Sequence, residues 1–248
     1  MNPLLIFSLL TSVTAQDTTY APGVIDVGTY KVYQRDRALG TETFEFDSRG
    51  DSIAIFSNVK QVLPGPGGDL PIEKTAMLIV GAFDYDLRSY QSQTKVRGKD
   101  LSRGLVVNDT AFTAYRESST SGGQGDRYIR PPGRVFVLDG QVFVLFDVMC
   151  RDLAGKSFKQ RKVNVIMLRD DQDQVMAITA TDMGDETIRW AARPVVARKL
   201  RFSDSYATFN AWIGPRDTML RLEEEATGLR VEREPSPAVK RRAEPTPH

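Results

Sequence analysis

The chain has 248 residues, 41% hydrophobic and 9% aromatic, with 33 basic and 32 acidic side chains and a net charge of +1. That balance excludes a general electrostatic pull toward nucleic acid or anionic lipid, while the composition is ordinary for a packed core. One cysteine, Cys150, excludes an intramolecular disulfide. The only histidine, His248, is the last residue, which leaves nothing from which to build a Ser-His-Asp triad, a Cys-His pair or a His-ligated zinc site.

Met1–Ala15 carries no charged side chain. Pro3 to Phe7 with Leu9 and Leu10 form a short apolar run, and Val13-Thr14-Ala15 precede Gln16. An apolar run closed by small residues is what a signal peptidase reads, and it is too short to span a bilayer. Residues 1–15 are therefore expected to be a cleavable signal peptide, with a buried N-terminal element or an uncleaved anchor as the competing readings. No cysteine follows the segment, so lipid attachment is not indicated. The expected destination is the periplasm or the exterior.

From residue 16 to 233 the texture is mostly that of a single mainly β domain. Tyr30 and Val32 alternate with Lys31; Phe44 and Phe46 with Thr43, Glu45 and Asp47; Leu200 and Phe202 with Lys199 and Arg201. One apolar and one polar face is the signature of antiparallel strands with a wet side. Turns are expected at Ala38-Leu39-Gly40, Ser48 to Asp51, Asp170 to Asp173 and Gly214 to Asp217. Longer loops are expected at Pro64–Gly68 and Ser118–Gly125. About ten to twelve strands follow, too many to stay open and flat.

The alternation fails from Asp139 to Gly155. Val142, Leu145, Phe146, Met149 and Leu153 take helical spacing, with Asp139 to cap the start and Gly155 the end. A hairpin turning at Asp139-Gly140 competes with this helix. Residues 234–248, with four prolines and a Lys-Arg-Arg, read as a disordered tail.

Few motifs carry chemistry. Gly155-Lys156-Ser157 ends like a phosphate-binding loop, but Cys150 stands where the first glycine belongs and a strand-like run follows. Asp170, Asp171 and Asp173 lack the spacing of a calcium loop. Asp84 and Asp86 lie two apart and would share a strand face, which leaves a carboxylate hydrolase conceivable. Cys150 reads as a small buried hydrophobe. Phe143, Phe146 and Met149 on the expected helix, with Trp190 and Trp212 on strands, are the candidates to line a cavity in a curled sheet.

The order of the segments is itself informative. Gly28–Tyr33 and Gly40–Phe44 open the domain. Val137-Leu138-Asp139 lead into the helical segment, and Phe209–Ile213, Met219–Leu222 and Gly228–Arg233 close it. Over residues 24–233 this resembles a widespread group of bacterial exported proteins similar in architecture to the lipoprotein carriers LolA and LolB. That resemblance implies a curved, incomplete barrel around one helix and assigns no functional residue.

The expected fold is thus a curved antiparallel sheet, a half-barrel or open barrel, packed around one helix. The leading functional expectation is a non-enzymatic envelope protein that binds or carries an apolar small molecule, foremost a lipid, without a cofactor or metal. The alternative is an envelope interaction protein with a filled core, acting on another protein through its outer face or sheet edge. A carboxylate- or tyrosine-based enzyme comes third. No nucleic acid partner is expected, and after signal cleavage nothing would span a membrane.

Overall fold

The computed structural model describes residues 23–65, 67–119, 122–169 and 172–235. The expected signal peptide and residues 236–248 lie outside the described residues. Strands β1 (Gly23–Gln34), β2 (Arg37–Ser48), β3 (Ser52–Leu63), β4 (Leu70–Gly81), β5 (Leu87–Val96), β6 (Lys99–Val107), β7 (Ala111–Ser118) and β8 (Gly122–Ile129) form one wing. Strand β9 (Val135–Asp139), helix α1 (Val144–Ala154) and strands β10 (Gln160–Leu168), β11 (Gln174–Trp190), β12 (Arg193–Ser203), β13 (Thr208–Ile213), β14 (Met219–Glu224) and β15 (Leu229–Arg233) form the other.

All fifteen strands belong to one sheet that does not close into a barrel. Each wing is a run of sequential neighbours, and the wings join where β1 pairs antiparallel with β15, Tyr30 opposite Arg233. The free ends of the sheet are β8 and β9. Among the described residues a single pair is parallel, β9 with β10. A parallel neighbour demands a crossover, and α1 is that crossover. This is one more helix-linked constraint than a purely antiparallel sheet would carry.

The helix has almost no wet side, since nine of its residues are buried. That explains the unbroken run Val142–Phe146: a helix enclosed by its sheet is apolar nearly all round. Val144, Leu145, Val148, Met149 and Leu153 join the main core with Phe46, Ile55, Leu78, Leu87, Val137 and Leu222. Each such side chain contributes roughly 1.5–3 kcal/mol by leaving water.

Two turn assignments and one tail boundary shift. The first hairpin turns at Arg35-Asp36, not at residues 38–40, which belong to β2. Gly40 instead marks a close approach within β2, with φ of +146° and a place for Cβ only 2.1 Å from the Lys60 carbonyl oxygen. The stretch 118–125 is largely strand, the end of β7 and the start of β8, rather than a long loop. Glu234 is held too: its N–H donates to Thr29 O at 2.8 Å and its carboxylate meets Lys31 at 2.6 Å.

A second, smaller core lies apart from the first. Ile188, Ala197, Trp212 and Leu220 pack together with Trp190 and Val195 against them. The long β11–β12 hairpin builds it. Its tip reaches back to β15, where Trp190 Nε1 donates to Arg233 O at 2.7 Å, and to β14, whose Arg221 donates to Arg189 O at 3.1 Å. The tip turns through Ala191 and Ala192, both with positive φ, 50° and 62°.

Candidate functional site

Two sets of buried and half-buried charges flank the core, one around the end of β9 and the start of α1, the other including Asp147 and Arg151 of α1 itself. At the end of β9, Asp139 accepts hydrogen bonds from Lys74 Nζ at 2.5 Å, Tyr90 Oη at 2.7 Å and Ser92 Oγ at 3.0 Å. Lys74 also donates to Gly140 O at 3.0 Å. Asp139 therefore does not cap the helix. That task falls to Glu42, which reaches across from β2 and is fully buried. Its carboxylate accepts from Phe143 N at 2.8 Å, Val144 N at 3.2 Å and Ser57 Oγ at 2.7 Å. Burial is the main force raising the Glu42 pKa to about 7, with the Asp147 charge adding to it and the three donors opposing it.

On the other side, Asp26, Asp147, Arg151 and Arg233 form a network across the seam of the wings. Arg233 grips Asp26 through two nitrogens, at 2.5 and 3.1 Å. Arg151 bonds Asp26 and, at 3.2 Å, Asp147. Asp147 also accepts Met219 N at 2.8 Å. The two guanidinium groups lie over aromatic rings, Arg151 over Phe46 at 4.2 Å and Arg233 over Phe44 at 5.0 Å. Desolvation pushes the Asp26 pKa up, but its arginine partners outweigh that and hold the carboxyl below its ordinary value.

These groups look catalytic in a list of residue types, yet each is committed to a structural bond in a packed interior. Between α1 and β4, β5 and β9 the space among Leu78, Leu87, Val135 and Leu145 holds no water-sized void. Beside Phe146, Phe202 and Phe209 the free volume is about 20 Å³, room for a single water at most.

The five residues expected to line one cavity are divided between two cores. Phe143, Phe146 and Met149 lie in the main core; Trp212 and Trp190 lie in the second core on the opposite face of the sheet. Phe146 packs on Phe209 with ring centres 5.0 Å apart. Asp84 and Asp86 sit in the turn before β5, not on a strand face. Asp84 Oδ1 accepts Asp86 N at 3.0 Å, and Asp86 fastens Arg130 and accepts Val135 N at 3.2 Å. Cys150 is buried, and burial raises its thiol pKa well above the ordinary value. Among the described residues no three His, Cys, Asp or Glu side chains gather as a metal site, and no helix is long and apolar enough to cross a membrane.

The other exposed feature lies on the outer face of the first wing. Across β5 to β8 the residues Gln91, Gly104, Tyr115 and Gly125 stand opposite one another. Tyr115 is 51% exposed, and its ring lies 3.4 Å from where a Gly125 Cβ would stand. The glycines on both flanks leave a groove of about 450 Å³ around it, lined also by Ser102, Glu117 and Gln124. Val106 and Ile129 are exposed nearby, Ile129 at 86%. Ile129 ends β8, which among the described residues pairs only with β7 and has seven of its eight residues exposed. An unpartnered strand presents a row of backbone donors and acceptors, and β8 has neither a lysine nor a proline to guard it.

No protein-family model, curated protein sequence or solved structure matches this chain.

Proposed function

We propose that this is an exported, non-enzymatic envelope protein that binds a protein partner through the free edge strand β8 and the adjoining outer face of β5–β7. The observation that carries this reading is a contrast of surfaces. The concave side is filled by α1 and β9, with about 20 Å³ beside Phe146, whereas β8 is an exposed edge that ends in the exposed Ile129 and lies beside Tyr115 and Val106. A carrier of acyl chains needs a dry cavity of some hundreds of Å³. An edge strand needs only an extended segment to add to it, with backbone bonds for affinity and outward side chains for choice.

The test is site-specific photo-crosslinking in cells that export the intact chain. A crosslinker at Gln124 on β8 is expected to capture a discrete protein. Gly125→Lys, which plants a guarding charge on the edge, is expected to abolish the adduct while the fold persists. A crosslinker at Val196 on the other wing serves as the control. An adduct indifferent to Gly125→Lys, or equal capture from Val196, overturns the edge as the docking element. A lipid retained on the purified protein in native mass spectrometry overturns the interaction reading in favour of a carrier.

A further inference from the structure

We propose that the Glu42–Ser57 pair is a proton switch that sets how firmly helix α1 is held against the sheet. The inference is independent of the edge-strand reading and rests on three features of the interior.

The first is geometric. Helix α1 has no side-chain cap of its own, because Phe143 occupies the N-cap position. Its first free N–H groups are satisfied from another element, by Glu42 of β2. The only described link from this carboxylate to a hydroxyl is Ser57 Oγ of β3, at 2.7 Å. A hydroxyl can donate or accept. With Glu42 ionised, Ser57 donates to Oε1. With Glu42 protonated on Oε1, the acid O–H donates to Ser57 Oγ, whose own hydrogen turns away, and Oε2 still accepts Phe143 N. The same heavy-atom arrangement thus serves both states, and the proton comes from and returns to solvent.

The second feature is that the surroundings balance the two states. Helix N–H groups favour the carboxylate. Burial opposes it, and so does Asp147, one turn further along α1. The phenols of Tyr30 on β1 and Tyr90 on β5 also feel the Glu42 charge. Behind Asp147 stand Arg151 and Arg233, and behind Tyr90 stands the Lys74–Asp139 pair. The result is a carboxyl that titrates near pH 7 rather than at its ordinary 4.5.

The third feature is position. Helix α1 joins β9 to β10, so the grip on its first turn bears on how firmly the buried end of the sheet is held. Because the folded-state pKa is raised, the stabilising contribution is complete below the unfolded value, near 4.5, and is lost as pH rises through about 7. The helix is therefore gripped most firmly in mild acid, and the grip weakens as pH rises from about 4.5 to about 7.

The experiment is a pH titration of the intact chain between pH 4 and 9, read in two ways. The side-chain carboxyl carbon of Glu42, followed by NMR, should titrate near neutrality, and the protection factors of the α1 amides should fall by about tenfold or more over the same range, one pKa unit being tenfold. Glu42→Gln, whose amide reproduces the protonated arrangement, should show protection independent of pH. Ser57→Ala removes a bond that favours the carboxylate and should move the midpoint upward. A wild-type carboxyl that titrates between pH 4 and 5 overturns the proposal. So does α1 protection that ignores pH, or a Ser57→Ala midpoint that stays put. If Glu42→Gln fails to fold, the wild-type titration and Ser57→Ala decide alone.

Discussion

The two ends of the sheet, β8 and β9, have the same topological standing and opposite chemistry. Both are last strands with one unpaired side. β9 reads Val-Phe-Val-Leu-Asp with every residue buried; β8 reads Gly-Gly-Gln-Gly-Asp-Arg-Tyr-Ile with seven of eight exposed. The difference lies in what each end is anchored to. Asp139 is pinned by Lys74, Tyr90 and Ser92, and Val135 N–H is taken by Asp86, so β9 is drawn onto the inner face of the opposite wing. β8 has three glycines and little apolar surface to bury. An edge hidden by ion pairs contributes to stability, while an edge left wet is available to bind.

Four substitutions would break or sharpen that contrast. The largest effect belongs to Asp139→Ala, which takes from the buried ammonium of Lys74 its opposite charge. Removing one partner of a buried pair costs about 3–5 kcal/mol, and urea unfolding should report a loss of that size. A loss under about 1 kcal/mol would mean that β9 is held by apolar packing alone.

Next comes the seam between the wings. Asp26→Asn weakens the fork to Arg233 and the bond to Arg151, at a cost of roughly 1–2 kcal/mol after allowance for partial solvent screening. Because the folded-state pKa of Asp26 lies below its ordinary 3.8, its contribution is present above that value and is lost as pH falls through the folded pKa. The gap between wild type and variant should therefore close in acid. A gap unchanged down to pH 2 would show that packing, not charge, explains the loss.

The β11–β12 tip gives a gain rather than a loss. Ala192 sits at a φ of 62°, which costs an L-residue roughly 1 kcal/mol. Ala192→Gly should raise stability by about that amount, less the greater freedom of glycine in the unfolded chain. A lowered midpoint in thermal unfolding would refute the strained turn.

The smallest effect is expected at β8. Ile129→Lys, at a site 86% exposed, should shift stability by no more than about 0.5 kcal/mol. A destabilisation above about 2 kcal/mol would mean that β8 is covered in solution, which would remove the contrast between the two ends.

How much of this was legible beforehand follows from where the signal lives. Alternation in β1, β2, β12 and β15 is a local property, so those strands were readable, as was the helix from its i, i+3, i+4 spacing. The turn at Ala191-Ala192 was not readable. Alanine is no turn former, and the bond from Trp190 to Arg233, which lies 43 residues away, is what brings the tip home. Gly40 misled because glycine marks both turns and close approaches. The pairing of Phe146 with Trp212 in one cavity failed for a related reason. Period-2 patterning says that two side chains share a face only along one strand, and Trp212 faces away from the core that holds Phe146. Glu42, alternating correctly with Phe44 and Phe46 on the inner face, could have been noticed as a carboxylate placed where only apolar residues belong.

Taken by themselves, the residues determined a mainly β chain with one helical interruption, because composition and periodicity are properties of neighbouring residues. Tertiary structure alone decided that the helix serves as a parallel crossover and that a glutamate from β2 caps it. It also decided that four charges meet across the seam of the wings and that one sheet edge is buried while the other is wet. Each of these is a contact between residues tens to hundreds of positions apart, and the cost or benefit of burying a charge depends on partners that only folding brings within reach.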